Sequence, residues 1–370
     1  MNPVITDDDI AGLVPNPEPF PVRDFDINIV LYEISGICNA RCPFCPTGSK
    51  RFAAARSRFI PVPEFLKGIT RLYELDFLKN DTQMGLYNWG DPLLHPDLEQ
   101  IMAVLTDFDQ YYSLSSNGSR FVPLSPKNLD NLAVMRFSLP GFSQASYDRV
   151  HGLQFEKVLK NIGNWIDILP GNTVEIVYFL YNFNYSELNA AFDYFSGQDI
   201  VFNVKMPFLM DFYEVNAFLM NRLGKERMEE ISRYMHLEYV DAIKSRQPGD
   251  FLCPLLSSQL VIDEYSNIVR CCAISKMSKY YSLGSLFSLD RDQILELKSS
   301  AAICRGCTRI GTPYWFMHAD TWLPGAVLEQ YQKHHDAGGS KNPRPNGVEM
   351  ANNRSKIKKL FSILKKTDVR

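Results

Sequence analysis

The eight cysteines of this 370-residue chain are its most restrictive feature, because they lie in two groups far apart in the sequence. The first group is Cys38, Cys42 and Cys45, and the second is Cys253, Cys271, Cys272, Cys304 and Cys307. The N-terminal segment has neither a basic region nor an apolar run of the kind that a signal peptide or a membrane helix needs, so we expect a cytoplasmic protein. In that reducing compartment, clustered cysteines indicate metal ligation or redox chemistry rather than disulfides.

The composition predicts one large domain and a smaller one. At 45% hydrophobic and 22% charged residues, the chain can bury a sizeable core. We expect an N-terminal extension over 1–25, the large domain over 26–215, a linking helix within 216–250, a small cysteine-rich domain over 251–335 and a basic tail over 336–370.

Short apolar runs that alternate with helical patterns indicate repeated β-α units around a parallel sheet. The predicted strands are Ile27–Ile34, Gln83–Trp89, Tyr111–Ser116, Val134–Leu139, Val174–Leu180 and Ile200–Met206. The predicted helices are Pro63–Leu78, Pro96–Thr106, Phe155–Leu169, Ser186–Phe195 and Lys225–Lys244. Six units are fewer than a closed eight-stranded barrel needs, so the sequence predicts an α/β fold with an open, partial (β/α)6 barrel. In the small domain, Gln259–Ile262 and Ile268–Cys272 are expected to form a β-hairpin.

Cys38, Cys42 and Cys45 follow the first predicted strand, where α/β folds bind ligands. Three thiolates can hold three irons of a 4Fe-4S cube and leave the fourth iron open to a small molecule. A zinc site or incidental cysteines are the alternatives, although a closed zinc site needs a fourth ligand and the neighbouring sequence supplies none.

The CxxxCxxC spacing, with Phe44 directly before the third cysteine, resembles the radical S-adenosylmethionine (SAM) superfamily. The segment Trp89-Gly90-Asp91-Pro92 is similar to the GGEP motif of that family, with Trp89 in place of the first Gly and Asp91 in place of Glu. Ser115-Ser116-Asn117-Gly118 resembles its TNG segment. The polar residues that end the fourth and fifth strands, Ser138 and Asn182, match further SAM contacts. Each of these residues alone is also typical of a turn or a cap.

The resemblance implies a mechanism. SAM would bind the open iron, its amino group meeting the segment that ends at Pro92, and its reductive cleavage would give a 5'-deoxyadenosyl radical that abstracts hydrogen from a substrate. A reductant protein such as flavodoxin or ferredoxin would supply the electron. The protein would orient the reactants and exclude water.

The second cysteine group resembles the twitch or SPASM extension of radical SAM enzymes. Cys253, Cys271, Cys304 and Cys307 would hold one auxiliary 4Fe-4S cluster, because the resemblance to the twitch form implies four ligands and one cluster. Zinc is the alternative metal for these four cysteines. Of the adjacent pair, the hairpin spacing favours Cys271 as the ligand. Cys272 then remains as a small buried residue or as a catalytic hydrogen donor.

Four strand residues are candidates for a catalytic base, because we expect them to point into the barrel mouth. They are Glu33, Tyr87, Tyr178 and Lys205. The alternative for each is an ordinary paired polar residue at a strand end.

The C-terminal residues from 341 onward carry a net charge of +7. Within them, Ile357, Leu360, Phe361 and Leu364 fall on one helical face among lysines. Such a helix would make weak contact with a membrane surface or an acidic partner, or dock on its own protein. Aromatic residues are not interleaved with these charges as in nucleic-acid sites, so we expect no nucleic-acid partner.

The sequence therefore predicts an oxidoreductase that acts on a small hydroxylated molecule, such as a sugar or cyclitol, by oxidation or epimerisation. The resemblance implies this substrate class, because twitch relatives of this size include alcohol dehydrogenases and epimerases that act on such molecules. A radical SAM maturase of a peptide or protein side chain is the first alternative. A non-catalytic metal-binding scaffold is the second.

Overall fold

The computed structural model describes residues 5–50, 57–79, 82–235 and 252–318. Three of our predictions fall wholly or partly outside these ranges: the basic tail, the second half of the helix predicted over Lys225–Lys244, and residues 319–335 of the small domain.

Nine described strands form one sheet in the order β6-β5-β4-β3-β2-β1-β7-β8-β9. The strands are β1 (Ile29–Tyr32), β2 (Gln83–Gly85), β3 (Tyr112–Ser116), β4 (Leu132–Leu139), β5 (Val174–Phe179), β6 (Val201–Lys205), β7 (Gln259–Ile262), β8 (Asn267–Val269) and β9 (Ser282–Ser285). Strands β1 to β6 pair in parallel with their sequence neighbours. The predicted α/β fold with a mostly parallel, open sheet is confirmed, and each of the six predicted strands is present.

The predicted hairpin also forms, because β7 and β8 pair antiparallel. Its first strand has a neighbour that the sequence did not indicate. Strand β7 lies parallel to β1 and extends the large sheet, with Val30 opposite Leu260. The cysteine-rich segment is therefore joined to the first strand by backbone hydrogen bonds.

Helices follow most of the parallel strands. Those before residue 236 are α1 (Asp7–Ala11), α2 (Val62–Glu74), α3 (Leu98–Asp107), α4 (Pro126–Leu129), α5 (Gln144–Arg149), α6 (Phe155–Ile168), α7 (Leu188–Phe195), α8 (Phe212–Leu219) and α9 (Lys225–Ser232). Those after residue 251 span Pro254–Ser257, Arg291–Ser299, Ala302–Ile310 and Thr312–His318. Short 3-10 helices span Val22–Asp24, Pro92–Leu94 and Tyr185–Glu187. Helix α2 ends earlier than predicted, because Asp76 has a left-handed backbone with φ of 56°.

The sheet has two chemically different faces, because side chains alternate along each strand. One face, which we call the convex face, carries buried apolar residues such as Tyr32 and Phe137 and packs against the helices. The opposite, concave face carries polar residues on β3 to β6. Polar chemistry is thereby concentrated on the side that the open barrel encloses.

Among the residues that the structure describes, no helix is long and apolar enough to span a membrane.

Candidate active site

The three N-terminal cysteines lie on one loop directly after β1. The loop folds back on itself, since the Cys45 N–H donates to the Cys42 carbonyl at 3.3 Å. Gly48 allows this turn, because a Cβ there would lie 2.5 Å from the Cys42 nitrogen. The strand therefore presents all three thiols at its carboxyl end.

Burial dominates the chemistry of these thiols. It raises the pKa of Cys38 to about 12, and the nearby Asp91 carboxylate adds to that effect. Burial also raises the pKa values of Cys42 and Cys45, and for Cys42 the neighbouring thiols add to the effect. A metal cation displaces such protons when it binds, so this donor set suits an iron-sulfur cluster.

Within the described ranges, no three Cys, His, Asp or Glu side chains converge on a single metal-ion position. A 4Fe-4S cluster does not require such convergence, because each thiolate binds a separate iron.

Asn117 connects the end of β3 to the cysteine loop. Its side-chain amide donates to Asn39 Oδ1 at 2.9 Å and lies 3.6 Å from Cys38 Sγ. Hydrogen bonds to cluster sulfurs are one determinant of reduction potential. The predicted SAM contact Asn117 is thus also placed to tune a cluster on Cys38.

The segment Trp89-Gly90-Asp91-Pro92 packs against the start of the cysteine loop. A Cβ at Gly90 would lie 1.8 Å from the Ser35 carbonyl oxygen, so only glycine fits there. The Asp91 N–H donates to the Ile37 carbonyl at 2.8 Å. The backbone of the predicted SAM-binding segment is therefore fixed directly beside the cysteines.

The Asp91 side chain is buried and already has hydrogen-bond donors. It accepts from Leu93 N at 3.0 Å, from the Ser116 hydroxyl at 2.9 Å and from Asn117 N at 2.9 Å. These contacts tie the ends of β2 and β3 together and cap the short helix that begins at Pro92. The amine contact inferred from the family motif stays a prediction.

Glu33 is fully buried beneath the same segment rather than open to the barrel mouth. Its Oε1 accepts from Trp89 N at 2.7 Å and from Gly90 N at 2.8 Å. Its Oε2 lies 3.2 Å from Lys276 Nζ. In the structure Glu33 holds the backbone, and its role as a base stays a prediction.

An aromatic wall beside the cysteine loop was not anticipated beyond Phe44. The Phe44 and Tyr234 rings meet edge to face with centroids 5.2 Å apart. Tyr181 stacks on Phe183 at 5.2 Å and also contacts Tyr234. Tyr181 and Phe183 follow the fifth predicted strand, and Tyr234 lies within the helix predicted over Lys225–Lys244. Little in the sequence indicated this wall, because only the fold brings these rings together.

A chain of polar contacts crosses the concave face, and only Tyr87 in it was predicted. Arg136 donates to the Tyr87 hydroxyl at 3.1 Å and to Glu175 Oε2 at 2.8 Å. Asn203 donates to the other Glu175 oxygen at 2.8 Å. We call Tyr87, Arg136, Glu175 and Asn203 the polar ladder. The sequence signal that could have revealed the ladder was the presence of Arg136 and Glu175 within otherwise apolar strands.

The prediction that Tyr178 points into the barrel mouth is wrong. Glu175 pairs with Arg136 and Val177 with Ser138, which places the odd-numbered residues of β5 on the concave face. Tyr178 therefore lies on the convex face, where its buried hydroxyl donates to the Asn184 carbonyl at 3.0 Å.

Three other predicted residues keep positions at strand ends. Lys205 ends β6 opposite Phe179, on the concave face. The Ser138 hydroxyl donates to the Ser116 carbonyl at 3.4 Å. The Asn182 amide donates to the Ser232 carbonyl at 2.7 Å, and its Oδ1 is buried with no hydrogen-bond partner in the described part of the chain.

Four cysteines of the second group line a common cavity, and their role as cluster ligands stays a prediction. Cys253, Cys271, Cys304 and Cys307 line one cavity, and Cys272 is not among its lining residues. Cys304 and Cys307 are three apart on the helix Ala302–Ile310, which puts both on one face. Gly306 between them allows close packing, since a Cβ there would lie 1.8 Å from the Ile10 carbonyl oxygen.

Two buried cations accompany these four cysteines. Lys298 is fully buried, and its ammonium donates to the Arg270 carbonyl at 2.8 Å. Arg270 also lines the cysteine cavity. Burial raises the pKa of Cys304 to about 11, whereas the Arg270 charge lowers it. Buried cations beside thiols are suited to balance the negative charge of a metal-thiolate centre.

Comparison with known proteins finds a family similarity in the large domain. A family model described as the radical SAM superfamily matches residues 32–195, the stretch that contains the cysteine loop, the Trp89–Pro92 segment and Asn117. Residues 32–195 are therefore similar to the radical SAM superfamily. A search of curated proteins found no match to the sequence.

Solved structures resemble the chain at low sequence identity. Streptococcus suis SuiB bound to precursor peptide SuiA is 13% identical, with 76% of this chain and 71% of that chain covered and a TM-score of 0.50. BtrN in complex with AdoMet and 2-DOIA is 13% identical, with 77% and 88% covered and a TM-score of 0.39. Native anSMEcpe with bound AdoMet is 14% identical, with 84% and 99% covered and a TM-score of 0.46. Against SuiB bound to S-adenosylmethionine, this chain spans 60% of the other chain's length. The SuiB peptide complex supports the fold, and none of these likenesses assigns a substrate.

This similarity implies a 4Fe-4S cluster and bound SAM, and the donors present fit both groups. Three partly buried thiols lie on one loop, and glycine is required where the Trp89–Pro92 segment passes it.

Proposed function

We propose that this protein is a radical SAM enzyme that abstracts hydrogen from a small hydroxylated substrate of the sugar or cyclitol type, and then oxidises or epimerises it. The polar ladder is the observation that carries the proposal. A phenol, a guanidinium, a carboxylate and an amide lie in one hydrogen-bonded row on the face that the barrel encloses. Such closely spaced donors and acceptors suit several adjacent hydroxyl groups.

Cys38, Cys42 and Cys45 would hold the cluster, with Phe44 packed beside it. Together with SAM, that cluster supplies a 5'-deoxyadenosyl radical. Trp89, Gly90, Asp91 and Pro92 would shape the SAM site with Ser116, Asn117, Ser138 and Asn182. The ladder would orient the substrate, and Tyr87 or Lys205 would accept the proton that an oxidation releases.

Cys253, Cys271, Cys304 and Cys307 would hold an auxiliary 4Fe-4S cluster that accepts the second electron of an oxidation. Arg270 and Lys298 favour such a centre by their charge. Cys272 packs with Val261, Val269 and Tyr281 instead of lining the cysteine cavity. It would serve as the hydrogen donor if the reaction is an epimerisation.

Anaerobic reconstitution with iron, sulfide, dithionite and SAM tests the chemistry. We expect 5'-deoxyadenosine to form and iron to reach about eight atoms per chain, the content of two 4Fe-4S clusters. The double variant Cys304→Ala/Cys307→Ala should hold about half that iron and still cleave SAM. Absence of 5'-deoxyadenosine in the intact protein would favour a non-catalytic scaffold. Zinc in place of the second set of iron would favour a structural site.

Substrate class is tested by deuterium transfer into 5'-deoxyadenosine. Deuterated sugars and cyclitols form one panel, and deuterated peptides form the other. Transfer from a sugar or cyclitol that is lost in Arg136→Met supports the proposal. Transfer from peptides alone would instead identify a peptide or protein maturase. If the reaction is an epimerisation, Cys272→Ser should still transfer deuterium into 5'-deoxyadenosine but form no epimer, whereas an oxidation should persist in this variant.

A further inference from the structure

A buried charge triad connects the second cysteine segment to the SAM-binding segment. Lys276 Nζ lies 3.2 Å from Glu33 Oε2 and 2.9 Å from Glu264 Oε2. The side chains of Lys276, Glu33 and Glu264 are only 6%, 0% and 1% exposed. Burying three charges is costly, so an arrangement of this kind needs a function that justifies it.

The triad lies at the junction of three chain segments. Glu33 follows β1 and holds the Trp89 and Gly90 amides through Oε1. Glu264 follows β7 and packs on the start of the cysteine loop, where a Cβ at Gly36 would lie 2.1 Å from Glu264 Oε1. Lys276 comes from the segment that begins at the adjacent cysteines. One ammonium group therefore neutralises carboxylates from two strands.

Without Lys276, two carboxylates would face each other in a site closed to water. At least one would take up a proton, because burial and a like charge both favour the neutral form. The other ionisable groups close to Glu33 are the Tyr281 hydroxyl and the Cys45 thiol, neither of which is positively charged. Lys276 is thus the cation in the described structure that favours the ionised form of Glu33, although burial still raises the pKa of this carboxyl.

We propose that Lys276 is a positioning residue for SAM, which favours the charged form of Glu33 and holds its carboxylate in place so that the Trp89–Gly90 backbone stays in its SAM-binding conformation. The cysteine segment that follows β8 thereby controls the cofactor site of the neighbouring domain. The inference depends on the SAM site of the radical SAM domain and is independent of the proposed substrate.

SAM dissociation constants of the reconstituted protein, measured without substrate by equilibrium dialysis at pH 7 to pH 9, test this role. We expect Lys276→Met to weaken SAM binding about tenfold at pH 7, the effect of one lost charged hydrogen bond, and binding should recover toward pH 9 as Glu33 ionises. Lys279→Met removes an exposed ammonium from the same segment and should bind SAM like the wild type. Iron content is measured for each variant.

A second pair of variants keeps the test valid if Lys276→Met does not fold. Both K276M/E33Q and K276M/E33L lack the buried charges of these two residues, but only Gln retains an oxygen for the Trp89 and Gly90 amides. We expect the Gln variant to bind SAM within about threefold of the wild type, and the Leu variant about tenfold more weakly. Equal binding by the two variants would overturn the proposal, as would a Lys276→Met defect that is the same at each pH. If the wild type itself binds no SAM, the SAM site fails before the role of Lys276 arises.

Discussion

The Arg136–Glu175 ion pair gives the sharpest quantitative test of the polar ladder. Its nitrogen–oxygen distances are 2.7 and 2.8 Å, and Asn203 occupies the second carboxylate oxygen. Removing one partner of a fully buried pair costs about 3–5 kcal/mol. The Arg136 side chain is 34% exposed and regains some water, so we expect Glu175→Leu to lower the free energy of unfolding by about 2 kcal/mol.

A double-mutant cycle with Arg136→Met and Glu175→Leu measures this interaction. Urea unfolding of the anaerobic reconstituted protein, with unchanged m-values, gives the four free energies. We expect the two residues to be coupled by about 2 kcal/mol, and the double variant to be more stable than Glu175→Leu alone. The exposed pair Lys127–Asp107 is the control and should show little coupling. A coupling below about 0.5 kcal/mol for Arg136 and Glu175 would refute the buried-pair reasoning.

Three further predictions concern other parts of the molecule. Asn117→Ala removes the amide donor to Cys38 Sγ, so the cluster potential measured by redox titration should become more negative by about 40 mV for each 1 kcal/mol of lost hydrogen bonding. Gly306→Ala places a Cβ against the Ile10 carbonyl, and it should lower stability by about 1–3 kcal/mol in urea unfolding and reduce the iron bound by the second cysteine group. Burial raises the pKa of Glu33 to about 7, so the native state binds a proton that the unfolded state releases between about pH 4.5 and pH 7. Across that range Glu33 should therefore lower stability by about 3 kcal/mol as pH rises, and Glu33→Gln should remove this dependence.

Each of these predictions has a clear opposing result. An unchanged potential in Asn117→Ala would show that the amide does not reach the sulfur in the loaded protein. Gly163→Ala is the control for Gly306→Ala, because nothing lies within 4 Å of a Cβ at that helical glycine and stability should not fall. Identical pH profiles for the wild type and Glu33→Gln would show that Glu33 titrates normally.

Local sequence patterns were sufficient for much of this protein. The alternation of apolar runs and helical periodicity predicted all six parallel strands, because each strand buries one apolar face against the helices. The spacing of Cys38, Cys42 and Cys45 predicted a cluster loop without any tertiary information, since three ligands within one turn-rich segment need no distant partner. The choice of Cys271 over Cys272 followed from hairpin spacing; Cys271 lines the same cavity as the other three cysteines, and its role as a ligand stays a prediction.

The face of a strand and the meeting of distant segments were decided only by the tertiary structure. A shift of one residue moves a strand side chain to the opposite face, which is why Tyr178 was misplaced and Arg136 and Glu175 were overlooked. The sequence shows no reason for β7 to lie beside β1, and that pairing is what brings Lys276 to Glu33. Sequence alone thus determined the local elements and the N-terminal thiol motif, whereas long-range packing determined which charges share a buried site, because burial depends on neighbours that the local sequence does not contain.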